Sequence, residues 1–268
     1  MKAIGFNQGQ YGDLCINLIA CKSFKQVYPD STLIFGVNHR YRDLAPIFLK
    51  HPHIDGIHVW EGYDNWPTER DLDYMASQEF DHIFHPMPRL SWDWQTKHHQ
   101  TEEVCFVNGL PSPGDLQIYL NPSATLVNNN YKGFIVVCGV GATDGAKKNL
   151  DEQKLDYVCG LIVKLGYQPL FLASSYKEHA SVHTPFVEAV GIMLGCKALV
   201  TIDSALCWIA SGYQFPTLGL YNQFYYADKG AQTSKNWQPI NPNAVYLEAA
   251  GVNEIPNEAI ETALKSIL

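Results

Sequence analysis

The sequence predicts an α/β protein made of two Rossmann-like halves, and three observations carry that prediction. Short apolar runs alternate with helical patterns from Lys2 to Phe84. The alternation stops in a stretch rich in turn-formers, Asn121–Tyr131 (NPSATLVNNNY), and restarts at Gly133. In the second half a buried run ends at Ile202-Asp203-Ser204 with a helix opening at once. Strands separated by helical segments are the mark of parallel βαβ units, and a Ser/Asn/Pro cluster between them reads as a linker.

Taken in order, Lys2–Phe6 reads as a strand and Leu14–Tyr28 as a helix with apolar residues at 14, 18, 21, 24 and 27. Thr32–Val37 is a second strand, Tyr41–Lys50 a helix and Ile54–Trp60 a third strand. The polar segment Asp71–Glu79 leads to a short strand near His82–Phe84. After the linker come a strand at Gly133–Cys138, a helix at Leu150–Leu165 and a strand at Pro169–Ala173. Thr184-Pro185 supplies an N-cap and first-turn pair for the next helix. A strand Thr217–Tyr221 follows the Asp203-Ser204 turn, and Asn257–Leu268 is an amphipathic helix with Ile260, Leu264 and Ile267 on one face. The domains expected are 1–125, 131–256 and a C-terminal helix 257–268 with the option of packing back on the N-terminal domain.

Composition narrows the partners. The chain of 268 residues carries a net charge of −8; residues 1–130 hold 15 acidic and 9 basic side chains, the remainder 12 and 10. No basic half exists to track a phosphate backbone, so nucleic acid is disfavoured as a broad partner. No apolar run approaches the roughly 20 residues of a membrane span, and MKAIGFNQGQYGD turns polar too soon for a signal peptide. Seven cysteines without paired spacing read as reduced core thiols, which points to the cytoplasm.

Three turns carry the candidate chemistry. Asp203, Ser204 and Ala205 stand where a strand's carboxyl end meets a helix N-terminus, the place where open α/β sheets bind ligands and where free N–H groups favour a phosphate. Gly139-Val140-Gly141 opens a second glycine loop that runs through Thr143 to Lys147 and Lys148. It is no P-loop, and the next strand ends without the carboxylate an NAD site requires, so NAD is disfavoured. The first strand runs into Gly9, Gly12 and Asp13; there the glycines permit close backbone approach, and Asp13 reads either as a general base or as the cap of a helix beginning at Leu14.

The stretch from Thr184 to Asn222 resembles the C-terminal half of the lipopolysaccharide heptosyltransferase-like glycosyltransferases (family 9, GT-B fold), which carry a DSG..H.A...g.P...ly pattern there. Gly12-Asp13 before an apolar helix and Tyr28-Pro29-Asp30 are similar to that family's N-terminal signature, and Phe48–Ile57 to its hP.vD.v element. The resemblance implies a GT-B architecture, two Rossmann-like domains facing a cleft. It implies an inverting transfer of a sugar from a nucleotide-diphosphate sugar to an acceptor hydroxyl, on a glycan or lipopolysaccharide, with neither metal nor cofactor. Asp13 would be the base. Thr143 and Lys147 would hold the diphosphate, with Lys148 as a rival for the lysine, and Gly12, Gly141, Asp203, Ser204 and Ala205 would complete the nucleotide-sugar site. Glu178 would reach the ribose. The chain departs from the pattern at Ala205, where the family has Gly, and at Trp208, where it has His; Trp208 either stacks on the ligand or fills core.

Other signals leave alternatives open. His85–Gln100 holds Arg89, Trp92 and Trp94, side chains suited to stack on and hydrogen-bond a sugar acceptor, to stack on a nucleobase, or to pack on their own domain. A viral-type transfer to a modified DNA base, a GT-B sugar-nucleotide epimerase and a non-catalytic nucleotide-sugar-binding protein remain alternatives. Asp71-Leu72-Asp73 is a D-x-D in a helical segment and is not expected to bind metal. Eight of the ten histidines fall between residues 39 and 99, none with metal-ligand spacing.

Overall fold

The computed structural model describes the chain except residues 7–10, 50, 62–68, 85–97, 121–125, 142–147, 173 and 227–229. The chain divides into two compact units, Met1–Asn121 and Pro122–Leu268.

In the first unit, β1 (Lys2–Phe6), β2 (Thr32–Asn38), β3 (Gly56–Trp60) and β4 (His82–Phe84) form one parallel sheet in the order β3-β2-β1-β4. Its helices among the described residues are α1 (Tyr11–Val27), α2 (Ala45–Phe48), α3 (Glu69–Ser77) and α4 (Gln100–Val107). The apolar stripe of α1 buries Leu14, Leu18, Cys21 and Phe24 completely or nearly so; each such side chain contributes about 1.5–3 kcal/mol through removal from water. The helix starts at Tyr11, three residues before the expected Leu14. The expected helix Tyr41–Lys50 is instead a 3-10 segment, His39–Leu44, followed by the four residues of α2. Asn38 caps that 3-10 turn by accepting from the Arg40 N–H at 3.0 Å, and Pro46 at the start of α2 suits a first helical turn.

The second unit has a six-stranded parallel sheet in the order β12-β9-β8-β5-β6-β7. Its strands are β5 (Phe134–Cys138), β6 (Gln168–Leu172), β7 (Ala180–Val182), β8 (Ala198–Ile202), β9 (Thr217–Asn222) and β12 (Ala244–Ala249). A hairpin, β10 (Phe224–Tyr226) with β11 (Gly230–Gln232), stands apart from it. The helices among the described residues are α5 (Glu152–Lys164), α6 (Phe186–Gly195), α7 (Ala205–Gly212) and α8 (Asn257–Ile267). β7, β12 and the hairpin had no expectation from the sequence; β12 is half-buried throughout and shows no clean alternation.

Two expectations shift here. The N-cap of α6 is Pro185, with no side-chain cap, and the Thr184 hydroxyl donates to the Glu188 carboxylate instead. The last helix sets Ile260, Ala263 and Leu264 into the second unit's own core with β9, β12 and α5, so its apolar face is already covered within that unit. Among the described residues no helix is long and apolar enough to cross a membrane.

Candidate functional site

Strand order decides where the second unit can bind a ligand. The chain builds β5, β6 and β7 outward in one direction, then returns to the other side of β5 for β8, β9 and β12. The connections leaving β5 and β8 therefore diverge, and the carboxyl ends of these two strands form the topological switch point where open α/β sheets bind ligands.

The two loops that meet there are joined by an ion pair. Lys148 Nζ, from the β5–α5 loop, lies 3.0 Å from Asp203 Oδ2, in the turn between β8 and α7, and the two side chains are only 19% and 20% exposed. The lysine segment is pinned from several sides. Leu150 N–H donates to the Gly139 carbonyl at 2.9 Å, Gly141 N–H to Asn149 Oδ1 at 2.8 Å, and Asn253 bonds both the Asn149 carbonyl (3.1 Å) and the Asp151 N–H (3.0 Å). The two glycines differ in what demands them. A Cβ on Gly139 would stand 2.6 Å from a Leu155 methyl, so that glycine serves the packing of α5. A Cβ on Gly141 would meet Ile202, Lys148 and Asn149 at ordinary distances of 3.5–3.7 Å, so the protein itself leaves room there.

Ser204 occupies the N-cap position of α7 but makes no capping hydrogen bond. Its hydroxyl lies 2.9 Å from the Thr201 hydroxyl, which donates to the Ile202 carbonyl at 2.8 Å. The Ser204 hydroxyl thus sits in a local hydroxyl pair at the mouth of the turn. The first N–H groups of α7, at Ala205 and Leu206, keep no side-chain cap, and the helix dipole places partial positive charge there. Behind the turn, burial pushes the Cys138 thiol up, against the pull of Ser204, Thr201 and Lys148. Trp208 is 4% exposed; of its two readings the structure supports core filling. Among the described residues, sequence reasoning missed Asn149 and Asn253, because neither type nor spacing marks a residue that pins a loop from across the chain.

The first unit has its own switch point between β1 and β4, where the strand order reverses. Gly12 and Asp13 lie within the first helical turn, not before it, so Asp13 is no cap for a helix at Leu14. Asp13 is partly exposed, and a carboxylate in that turn is favoured by the dipole. Tyr11 anchors the turn: its hydroxyl donates to the Asp43 carboxylate at 3.1 and 3.3 Å, and its ring packs edge-on against Tyr41 at 4.7 Å. Burial first, and Asp43 second, push the Tyr11 phenol up to about 12.

The remaining expected residues are not brought to these points by any described contact. Glu178 is exposed in the turn after β6, beside Lys177 with its φ of 48°. Thr143, Lys147, Arg89, Trp92 and Trp94 lie outside the described residues. The D-x-D is split by its helix: Asp71 is buried and accepts the Glu61 N–H at 3.3 Å, while Asp73 is exposed. No group of three or more His, Cys, Asp or Glu suited to a metal occurs among the described residues.

No family profile and no curated protein sequence matches the chain. Solved structures do. Escherichia coli ADP-heptose lipopolysaccharide heptosyltransferase II aligns with a TM-score of 0.76 at 13% identity, over 100% of this chain and 98% of that one. A family 9 glycosyl transferase from Veillonella parvula gives 0.70 at 13% over 99% and 96%. The E. coli heptosyltransferase WaaC, solved with ADP, gives 0.70 at 11% over the whole of both chains. At these identities the likeness is one of fold: the chain has the parallel α/β fold of the heptosyltransferase structures along its full length.

Proposed function

We propose that the chain is a glycosyltransferase of GT-B architecture that moves a sugar from a nucleotide-diphosphate sugar to an acceptor hydroxyl with inversion. The observation that carries this is the Lys148–Asp203 pair beside the uncapped N-terminus of α7 at the switch point of the second sheet. A diphosphate needs cationic and N–H donors in one place, and here a lysine, held by an aspartate, stands next to a helix dipole. The solved structure of a fold neighbour with ADP makes ADP-sugars the first donors to try.

In this reading the acceptor oxygen attacks the anomeric carbon from the face opposite the leaving group, and Asp13 takes the hydroxyl proton. The bond from the anomeric carbon to the β-phosphate oxygen breaks, and the nucleoside diphosphate departs with the bonding pair. Lys148 and the N–H groups of Ala205 and Leu206 stabilise the charge that develops on it. Because those groups supply positive charge themselves, the reaction is proposed to need neither metal nor cofactor. Asp13 contributes as a base on the order of 10²–10⁴-fold. Ser204 shapes the turn through its pairing with the Thr201 hydroxyl and stays a proposed donor contact. Gly141 gives space for the donor, Asp203 orients Lys148, and Thr143, Lys147 and Glu178 stay proposed donor contacts, with Arg89, Trp92 and Trp94 proposed for the acceptor. A cytoplasmic location is proposed from seven free thiols, six of them buried.

The test is a calorimetric panel of ADP, UDP, GDP and CDP and their sugars, on wild type, Lys148→Ala and Asp13→Asn. One nucleoside diphosphate should bind selectively, Lys148→Ala should weaken it, and Asp13→Asn should bind donor normally while losing transfer. Conversion of the donor without any acceptor would replace the reading with an epimerase. Donor binding without transfer to any acceptor, in wild type as in Asp13→Asn, would replace it with a binding module, and transfer unchanged in Asp13→Asn would remove Asp13 as the base. Absence of any nucleotide binding would remove it.

A further inference from the structure

The hairpin of the second unit rises from the same sheet edge as the Asp203 turn. β9 runs parallel to β8 with Leu220 opposite Ile202, so it reaches the carboxyl edge level with that turn and one strand away, about 4.8 Å. The order along the edge is β9, β8, β5, which puts the end of β9 on the side of the turn opposite the Lys148 loop. Tyr221, near that end, donates its hydroxyl hydrogen to Cys207 Sγ of α7 at 3.3 Å. The strand end and the helix that opens at the turn are therefore packed together. Just past Asn222 the chain enters β10 and β11, which among the described residues pair with each other and not with the six-stranded sheet.

Both feet of this hairpin meet on one side chain. Gln223, just before β10, donates from Nε2 to Glu248 Oε1 at 2.9 Å. Thr233, just after β11, donates from its hydroxyl to Glu248 Oε2 at 3.1 Å, and Ser234 donates to the same oxygen from both its N–H and its hydroxyl. Ser234 is fully buried, and the Gln238 side chain donates to its hydroxyl oxygen. Glu248 itself lies on β12 opposite Tyr221 of β9. Burial pushes its carboxyl up, but the hydrogen bonds from Ser234, Gln223 and Thr233 outweigh burial and hold it below the usual carboxylate range. The Gln223 N–H also donates to the Ala249 carbonyl at 2.9 Å, which ties the β9 foot a second time. The described bonds that tie Thr233 and Ser234 to the sheet all end on Glu248.

We infer that Glu248 is a positioning residue of the nucleotide-sugar site: by gathering Gln223, Thr233 and Ser234 it holds the β10–β11 hairpin beside the Asp203 turn, opposite Lys148. The inference rests on the glycosyltransferase reading for the ligand and on Glu248's own bonds for the anchor. Its carboxylate is filled by protein donors, so it neither touches the donor sugar nor moves a proton. Its contribution is order. A segment already fixed beside the ligand loses less conformational freedom on binding than one that must be ordered by the ligand.

The test joins calorimetry to hydrogen exchange on the full chain, in wild type, Glu248→Met and Gln223→Met, with ADP, UDP, GDP and CDP as the probes. Glu248→Met keeps the side-chain length and removes both acceptor oxygens. It should speed exchange at Ser234 and in β10 and β11 about tenfold, leave β5 and β8 as protected as in wild type, and weaken the bound nucleoside diphosphate about tenfold. In wild type the nucleotide should in turn slow exchange in the hairpin, because coupling is reciprocal; a brace with no part in the site would show no such response. Gln223→Met frees one foot and should move both readouts in the same direction by less, which carries the test if Glu248→Met does not fold. Nucleotide affinity unchanged in a variant whose hairpin has loosened would overturn the inference, as would hairpin exchange indifferent to both variants. Wild type that binds none of the four nucleotides would remove the donor reading and this inference with it, a result distinct from wild type and Glu248→Met binding equally well.

Discussion

Three glycine-to-alanine substitutions in helices should change stability with opposite signs, and the structure sets each sign. Gly160, in α5, is exposed and a Cβ there would meet nothing within 4 Å. Alanine then gains only its helix propensity, about 1 kcal/mol over glycine. Gly191 and Gly195, on α6, lie against the backbone of residues 126–128. A Cβ on Gly191 would stand 1.9 Å from the Leu126 carbonyl oxygen, and one on Gly195 1.8 Å from that of Asn128. Reaching even 3.0 Å requires backbone movement of about 1.1 and 1.2 Å, the differences from those two distances. The movement also strains the 2.9 Å hydrogen bond from Asn128 N–H to the Gly191 carbonyl. Overpacking costs about 1–3 kcal/mol, a lost hydrogen bond about 1 kcal/mol, and propensity returns about 1 kcal/mol. Gly191→Ala and Gly195→Ala should each therefore lose about 1–3 kcal/mol, while Gly160→Ala gains about 1 kcal/mol. The assay is denaturant unfolding of the three variants beside wild type, with hydrogen exchange assigning the loss to the second unit. Because α6 feeds β8 directly, the two damaging variants should also loosen the Asp203 turn. Gly191→Ala as stable as Gly160→Ala would refute the packing argument.

Four further outcomes follow from the sites. Asp203→Asn and Lys148→Ala should each weaken nucleoside-diphosphate affinity about 10–100-fold in calorimetry, the value of a charged hydrogen bond of about 1.5–3 kcal/mol. Ser204→Ala should lower stability by about 1 kcal/mol in denaturant melts, through loss of its hydrogen bond with the Thr201 hydroxyl. Stability should fall on acidification through His51: its folded pKa lies below the ordinary 6.5, so the neutral ring's contribution is complete above pH 6.5. It is lost as the pH falls toward about 3, by about 2 kcal/mol between pH 6.5 and 5 at 1.4 kcal/mol per unit. His51→Gln should flatten that limb of a stability–pH curve. Trp208→Ala should cost about 3–5 kcal/mol in denaturant melts, as for a buried aromatic; a smaller loss would mean the indole is not core.

The sequence by itself determined the elements whose signals are local. The alternation of apolar runs and helical stripes marks β1, α1, β2, β5, α5, β6, β8 and α7, because burial of one face imposes a period that a single stretch of chain displays. It also marked Asp203 and Ser204 as a strand-to-helix turn, since a buried run that stops at two small polar residues has few other uses. Only the tertiary structure decided what those residues do. Lys148 meets Asp203 because strand order sets the β5 and β8 loops side by side, fifty-five positions apart in the chain. Ser204 pairs with a hydroxyl three residues earlier, at the end of the strand it follows. Trp208 turns inward because α7 must cover its sheet. The short strand β7, the half-buried β12 and the loop-pinning Asn253 left no readable pattern, for their partners lie far along the chain and pairing or bonding across such distances has no period to read. Local chemistry is written in neighbouring residues, whereas a site assembled from distant loops exists only once the sheet has ordered them.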